Sequence, residues 1–135
     1  LGEVAMPVCA PGYLHQSSRE PSAEALRGYR IIVNANIPDE WDEWARAHGI
    51  ELPGLGDTIM FDVFEQALQV AESGHGMAMG RRPMVDAWLE SGRLVAPFGG
   101  GEPTGTAYYL CRPAGVTPTA AARRLERWLL KLADS

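Results

Sequence analysis

Residues 61–98 read FDVFEQALQVAESGHGMAMGRRPMVDAWLESGRLVAPF. Apolar residues recur at helical spacing up to Gly74, a short apolar strand signal follows at 77–79, a second helix begins near Pro83, and another strand begins at Leu94. Helices that alternate with strands are typical of a domain in which helices cover a sheet. The segment therefore predicts an α/β domain.

The first helix of this segment has a start signal and an apolar face. Asp62 and Glu65 have the spacing of a capping box, which predicts that the helix starts at residue 62 or 63. Phe64, Leu68 and Ala71 fall on one face at helical spacing. Such a stripe is typical of core packing, while a position at the helix start would also let the Phe64 ring shape an apolar pocket.

Three glycines bracket the short strand that follows. Gly74 is placed to end the helix in the left-handed conformation, and Gly76 to let the chain enter the strand tightly. Gly80 is interpreted as a point where the backbone approaches a ligand or partner. A dinucleotide fingerprint needs its glycines after a strand and before a helix, so the reversed order here excludes that motif.

The remaining elements follow from the same periodicities. Pro7 and Pro11 predict that the first strand is short and lies at an edge or a crossover. Thr117 and Pro118 are interpreted as the cap of the last helix. Polar segments 15–24 and 51–58 are expected to be loops. The predicted elements are a strand over 4–9, a short helix over 23–27, a strand over 31–33, an amphipathic helix over 39–48, and strands over 58–61 and 106–111 before a final helix over 118–133.

Composition restricts the class of function. The 135 residues fit one domain, and 46% hydrophobic with 21% charged residues is typical of folded globular proteins. A net charge of −5 argues against a surface that grips DNA, which needs clustered Lys and Arg. Without an apolar run of the ~20 residues that span a bilayer, we expect a cytoplasmic protein with no membrane partner.

The two cysteines are not expected to form a disulfide. If the strands over 4–9 and 106–111 pair antiparallel, Cys9 and Cys111 lie at opposite ends of the pair, beyond the ~7 Å that a disulfide spans. Both are predicted to be reduced, small side chains buried in strands.

Four motifs along the chain resemble one known family. They are PVCAP at 7–11, GHGMAMGR at 74–81, SGRLVAPF at 91–98 and AYYLCRP at 107–113, together with Trp41, Trp44 and Gly49 between the first two. In this order they resemble the effector-binding domain of LysR-type transcriptional regulators, in particular the glycine-cleavage-activator-like branch.

The resemblance implies a fold and a domain organisation. It implies a periplasmic-binding-protein-like lobe with a mixed sheet flanked by helices, the second half of a type 2 two-lobed effector-binding domain. Residues 1–113 would form this second lobe with both crossover strands, and residues 114–135 a terminal helix that packs on a first lobe outside this sequence. The DNA-binding part would likewise lie outside it, and the chain would be a homo-oligomer, a dimer or a tetramer.

The resemblance also implies a cleft for a small effector, at strand ends and helix starts that suit anions. Cys9 and Ala10, the helix start at Asp62, Val63 and Phe64, and the strand end at Gly80 and Arg81 would line it. Arg81 would bind a carboxylate through its two parallel donors, or be a surface charge beside Arg82. Asp62 would be a helix cap, a ligand contact or both.

No pattern in the sequence predicts an enzyme, a metal site or a cofactor. His15, His48 and His75 lie in different elements, and the sequence contains neither H-x-x-x-H, C-x-x-C nor G-x-S-x-G. Two alternatives to an effector sensor stay open. One is an interaction module that oligomerises without a ligand, and the other is a fragment of a solute-binding protein.

Overall fold

A computed structural model describes residues 1–15, 21–52 and 57–134, and it confirms that helices and strands alternate along the chain. The predicted loops over 15–24 and 51–58 lie partly outside the described residues. The elements are β1 Gly2–Val8, α1 Ala23–Leu26, β2 Ile31–Asn34, α2 Glu40–Ala47, β3 Thr58–Phe61, α3 Phe64–Glu72, β4 Ala78–Arg82, α4 Asp86–Glu90, β5 Glu102–Ala107 and α5 Ala120–Ala133.

The strands form a mixed sheet. β1 pairs antiparallel with both β4 and β5, and β2 pairs parallel with β3. A parallel bridge between Ile31 and Met77 joins the two parts, which gives the order β3-β2-β4-β1-β5. β1 is therefore a central strand, and the prediction of an edge position is wrong. Pro7 is tolerated because the pairing with β5 ends at Ala5, so Pro7 lies beyond it.

Each face of the sheet has its own apolar core. Side chains alternate along β1, so Ala5 and Cys9 face α2 while Met6 and Val8 face α3. Trp41 and Trp44 of α2 belong to the first core, so α2 is amphipathic as predicted. The second core includes Leu68, Ala71, Val85 and Leu94.

Two of the glycines explain local packing. Gly74 has φ +78° and ends α3, as predicted. A Cβ at Gly80 would lie 2.9 Å from Val8 Cγ1 and 3.0 Å from Val85 Cγ2. The close approach seen at Gly80 is therefore to Val8 and Val85 in the core of the protein itself, while its interpretation as an approach to a ligand or partner stays a prediction.

Helix caps differ from the predictions by one or two residues. Val63, with extended backbone, is the N-cap of α3 and no side chain caps this helix. The capping box of Asp62 and Glu65 is therefore wrong, because Asp62 lies one residue before the N-cap. At α5 the cap is Thr119, whose Oγ1 accepts a 3.1 Å hydrogen bond from the Ala122 N–H, rather than Thr117.

The cysteines occupy different environments. β1 and β5 are antiparallel as assumed, but β5 ends at Ala107, so Cys111 lies past its end and is exposed. Cys9 is buried, and both cysteines are free. The prediction of two buried thiols is confirmed for Cys9 and wrong for Cys111. Within the described ranges, the helices lack the length and apolar character that crossing a bilayer requires.

Candidate functional site

The direction of the strands decides which predicted residues meet. β2, β3 and β4 are parallel, so their carboxyl ends lie at one edge of the sheet, and the amino end of β1 joins them there. We call this the carboxyl edge; Glu3, Arg81 and residues 62–64 lie at it. Ala5 is opposite Arg81, and Cys9 lies four residues further along β1, which is about 13 Å. The seven predicted residues are therefore not brought together.

Cys9 and Ala10 lie at the opposite edge of the sheet, where their backbone groups form hydrogen bonds. Cys9 N donates to Val95 O at 3.1 Å, and Val95 N donates to Cys9 O at 2.9 Å. The Ala10 carbonyl accepts a 3.1 Å bond from the Tyr13 N–H in a turn. Burial raises the pKa of the Cys9 thiol to about 11. Both residues end a strand and start a turn, so their assignment to the cleft at the carboxyl edge is corrected.

The start of α3 lies at the carboxyl edge without a cap. Val63 is 43% exposed, and the Asp62 carbonyl accepts a 2.8 Å bond from Asn36 Nδ2. Phe64 is half-buried and packs against the core between the sheet and α3, as the core interpretation predicted. An α-helix leaves its first N–H groups without partners inside the helix and carries partial positive charge there. This end of α3 can therefore receive an anionic group.

Arg81 is buried at the same edge and holds two carboxylates of the chain. Its Nη1 lies 2.6 Å from Glu3 Oε1, and its Nη2 lies 2.9 Å from Glu40 Oε2. The side chains of Arg81, Glu3 and Glu40 are only 9%, 12% and 4% exposed. We call these three residues the Arg81 cluster. Because both ends of the guanidinium are occupied, Arg81 is neither a surface charge nor a free carboxylate anchor.

The two carboxylates of the Arg81 cluster differ in their surroundings. Burial, which outweighs the hydrogen bond from Arg81, raises the pKa of Glu40. Burial also acts to raise the pKa of Glu3, but hydrogen bonds from Thr106 and Thr104 and the charge of Arg81 together lower it. With two carboxylates and one guanidinium, the cluster carries an excess negative charge. An anionic ligand is therefore better accommodated at the start of α3 than at the Arg81 cluster.

Three hydroxyl residues that hydrogen-bond Glu3 were not predicted as part of the site. Thr104 Oγ1 and Thr106 Oγ1 donate to Glu3 Oε1 at 3.0 and 2.8 Å, and the Tyr108 hydroxyl donates to Glu3 Oε2 at 3.3 Å. Tyr108 is 41% exposed. The signal in the sequence was the alternation of hydroxyl residues at 104, 106 and 108, which places them on one side of an extended strand.

A groove of about 230 Å³ runs beside the Arg81 cluster, between α2 and β5, with Glu40, Trp44 and Thr104 in its wall. Over the described ranges, no group of three or more His, Cys, Asp and Glu side chains is placed to hold a metal ion. The His48 ring packs at a tilt against the Trp44 ring, with centroids 4.6 Å apart, and its Nε2 lies 3.5 Å from Glu102 Oε1.

Comparison with known sequences gives a consistent family. The family described as LysR substrate binding domain matches residues 2–134. The transcriptional activator AmpR of Rhodobacter capsulatus is 34% identical over 134 residues, covering 96% of this chain and 43% of the relative. The regulator DsdC of Escherichia coli K12 is 33% identical over 105 residues, covering 73% and 33%. The glycine cleavage system transcriptional activator of the same strain is 26% identical, covering 95% and 42%.

The chain therefore spans 33% to 43% of the length of these curated relatives. They are named as transcriptional regulators and not as enzymes, in agreement with the prediction.

Solved structures agree on the fold. The effector domain of AmpR from Pseudomonas aeruginosa superimposes with a TM-score of 0.76 at 26% identity, covering 99% of this chain and 62% of that one. The AmpR effector binding domain from Citrobacter freundii gives a TM-score of 0.78 at 24% identity, covering 97% and 64%. The likeness confirms the expected periplasmic-binding-protein-like α/β lobe.

Proposed function

The chain belongs to the family of LysR substrate-binding domains, and from this premise we propose that it senses a small metabolite at the carboxyl edge of its sheet. The sensor would regulate transcription through a DNA-binding part of the protein outside this sequence. The observation that carries the proposal is the uncapped start of α3 at that edge, because free N–H groups and partial positive charge attract an anionic group.

The contacts proposed for the metabolite are Asp62, Val63, Phe64 and Tyr108. Val63 supplies exposed apolar surface, and the Tyr108 hydroxyl and backbone N–H groups supply polar contacts. A carboxylate would lie at the α3 start and an apolar portion against Val63. Arg81 would act only through Glu3, because its guanidinium is already shared between two carboxylates.

The proposed domain organisation gives α5 a partner. Leu125 and Trp128, which are three residues apart on one face of α5, are 55% and 57% exposed. Exposed large apolar side chains on one helix face are typical of an interaction site. We propose that residues 1–113 form the second lobe and that residues 114–135 pack on the first lobe of the same protein. Burial of the same face between copies, in an oligomerisation module, is the alternative function.

The proposal extends to the branch of the family, the cellular location, the oligomeric state and the class of effector. The order of the motifs at 74–81 and 91–98 supports a place in the glycine-cleavage-activator-like branch. A regulator of this kind would work in the cytoplasm as a homo-oligomer, and its effector would be a small anion.

A panel of carboxylates tests the site. Acetate, glycine and alanylalanine, and then longer metabolites, are added to the full-length protein while its thermal unfolding is followed. A compound that binds the folded state raises the melting midpoint. Val63→Asp should abolish that rise, because it adds a negative charge at the α3 start.

Val95→Asp is the matched control, because Val95 is an exposed valine at the opposite edge, beside Cys9. If a compound stabilises the wild type and both variants equally, the proposed site is wrong.

A further inference from the structure

Glu3 gathers donors from three parts of the fold. Its two oxygens accept from Arg81 on β4, from Thr104 and Thr106 on β5, and from Tyr108 just past the end of β5. The backbone holds the same place, since Tyr108 N donates to Leu1 O at 2.8 Å. The position of the Glu3 carboxylate is thus fixed by four side chains. Tyr108 is the one of the four that lies past the end of β5, and it is 41% exposed.

Arg81 continues this set of hydrogen bonds into α2. Its second nitrogen donates to Glu40 Oε2, and Glu40 Oε1 accepts a 3.2 Å bond from the Asn34 N–H at the end of β2. Glu40 is the first residue of α2. A continuous path of hydrogen bonds therefore runs from the Tyr108 hydroxyl through Glu3, Arg81 and Glu40 to the Asn34 amide.

We propose that Glu3 is a positioning residue that holds the Tyr108 hydroxyl at the effector site and links it, through Arg81 and Glu40, to the start of α2. A metabolite that draws the Tyr108 hydroxyl away removes one donor from Glu3. The assignment of Tyr108 as an effector contact rests on the proposed function; the link from Tyr108 to α2 does not.

The composition of the Arg81 cluster explains why such a change is transmitted. One guanidinium serves two carboxylates, so a change at either carboxylate alters how the guanidinium is shared. Within the described part of the chain, Arg81 Nε has no hydrogen-bond partner, which leaves a donor ready when the arrangement shifts. Exchange of partners matters most where water is scarce, because charged hydrogen bonds are stronger in a low-dielectric interior.

The link is tested without any metabolite. In the full-length protein labelled with ¹⁵N, Tyr108→Phe removes only the hydroxyl and should shift the resonance of the Asn34 amide. Glu3→Gln should shift the same resonance. Tyr109→Phe is the matched control, because Tyr109 is the neighbouring tyrosine and is 81% exposed. If Tyr108→Phe moves the Asn34 amide no more than Tyr109→Phe does, the link is refuted.

A second arm uses the panel compound that raises the melting midpoint most. The Kd of this compound should rise by about threefold to tenfold in Tyr108→Phe and in Glu3→Gln, which is the effect of losing one hydrogen bond. The double variant should bind no more weakly than the weaker single variant, because both changes remove the same positioned hydroxyl. If the double variant raises the Kd by the product of the two single factors, the positioning role of Glu3 is refuted. If no compound binds, the proposed function fails, while the Asn34 amide still decides the link.

Discussion

The indole N–H of Trp41 donates a 2.9 Å hydrogen bond to the carbonyl oxygen of Ile32, which ties the first turn of α2 to the middle of β2. Trp41 is fully buried, and its ring meets the Trp44 ring edge-on with centroids 6.1 Å apart. The bond thus fixes α2, and with it Glu40, against the sheet that carries the Arg81 cluster.

Loss of this bond should destabilise the fold. Trp41→Phe removes the donor and part of the buried ring, so we expect the free energy of unfolding to fall by about 2 to 4 kcal/mol. Tyr109→Phe is the control, because Tyr109 is 81% exposed and should change stability by less than about 0.5 kcal/mol. Urea denaturation measures both, and equal losses would contradict the assigned role of Trp41.

Removing a polar side chain next to the start of α5 and next to the start of α3 should affect helix stability to different extents. Thr119→Ala removes the acceptor of the Ala122 N–H and should lower the stability of α5 by about 1 kcal/mol. Asp62→Ala removes no capping bond, so its effect on α3 should stay below about 0.5 kcal/mol. Amide exchange in the first turn of each helix reports the two effects. Faster exchange in α3 but not in α5 would restore Asp62 as a cap.

The two thiols should react at very different rates. With its pKa raised to about 11, Cys9 is a thiolate in only about one molecule in a thousand at pH 8, and its side chain is buried. Cys111 is exposed. A thiol reagent should therefore modify one equivalent quickly in the folded protein and the second only after denaturant is added. Rapid modification of two equivalents without denaturant would show that Cys9 is accessible.

Acid should weaken the fold through Glu3. Its pKa is lowered from the ordinary 4.5, so the folded state favours the charged form. Such a carboxyl stabilises the protein above its unfolded pKa, and that stabilisation is lost as the pH falls through its folded pKa. Glu3→Gln, which does not titrate, should therefore lose less free energy of unfolding between about pH 6 and pH 3 than the wild type. The exposed substitution Glu65→Gln serves as control, and parallel curves for wild type and Glu3→Gln would exclude this role.

Local periodicity predicted most of the fold. The amphipathic stripes of α2 and α3 and the apolar runs of β2 and β3 were located because each buries a face against its sheet. The last strand was misplaced because its residues, Glu102–Ala107, are mostly polar and exposed, while the more apolar residues 108–111 lie beyond it. Apolar character alone does not tell which residues pair.

The site was predicted only where chain neighbours form it. The α3 start is local and was located to within two residues. The partners of Arg81 could not be predicted, because Glu3 and Glu40 lie 78 and 41 residues away in sequence. The family resemblance assigns Cys9 and Arg81 to one cleft, but β1 runs antiparallel to β4, so the two residues lie at opposite ends of the strand pair.

The central place of β1 also governs the order in which the chain can fold during synthesis. Among the strands of this lobe, β1 is translated first, yet its neighbours in the sheet are β4 and β5. Val4 pairs with Arg82, so this half of the sheet cannot form until residue 82 has been translated. Until then Gly2–Val8 has no partner strand from its own sheet. Because Pro7 lacks an N–H, it hinders the pairing of this segment with strands of other nascent chains.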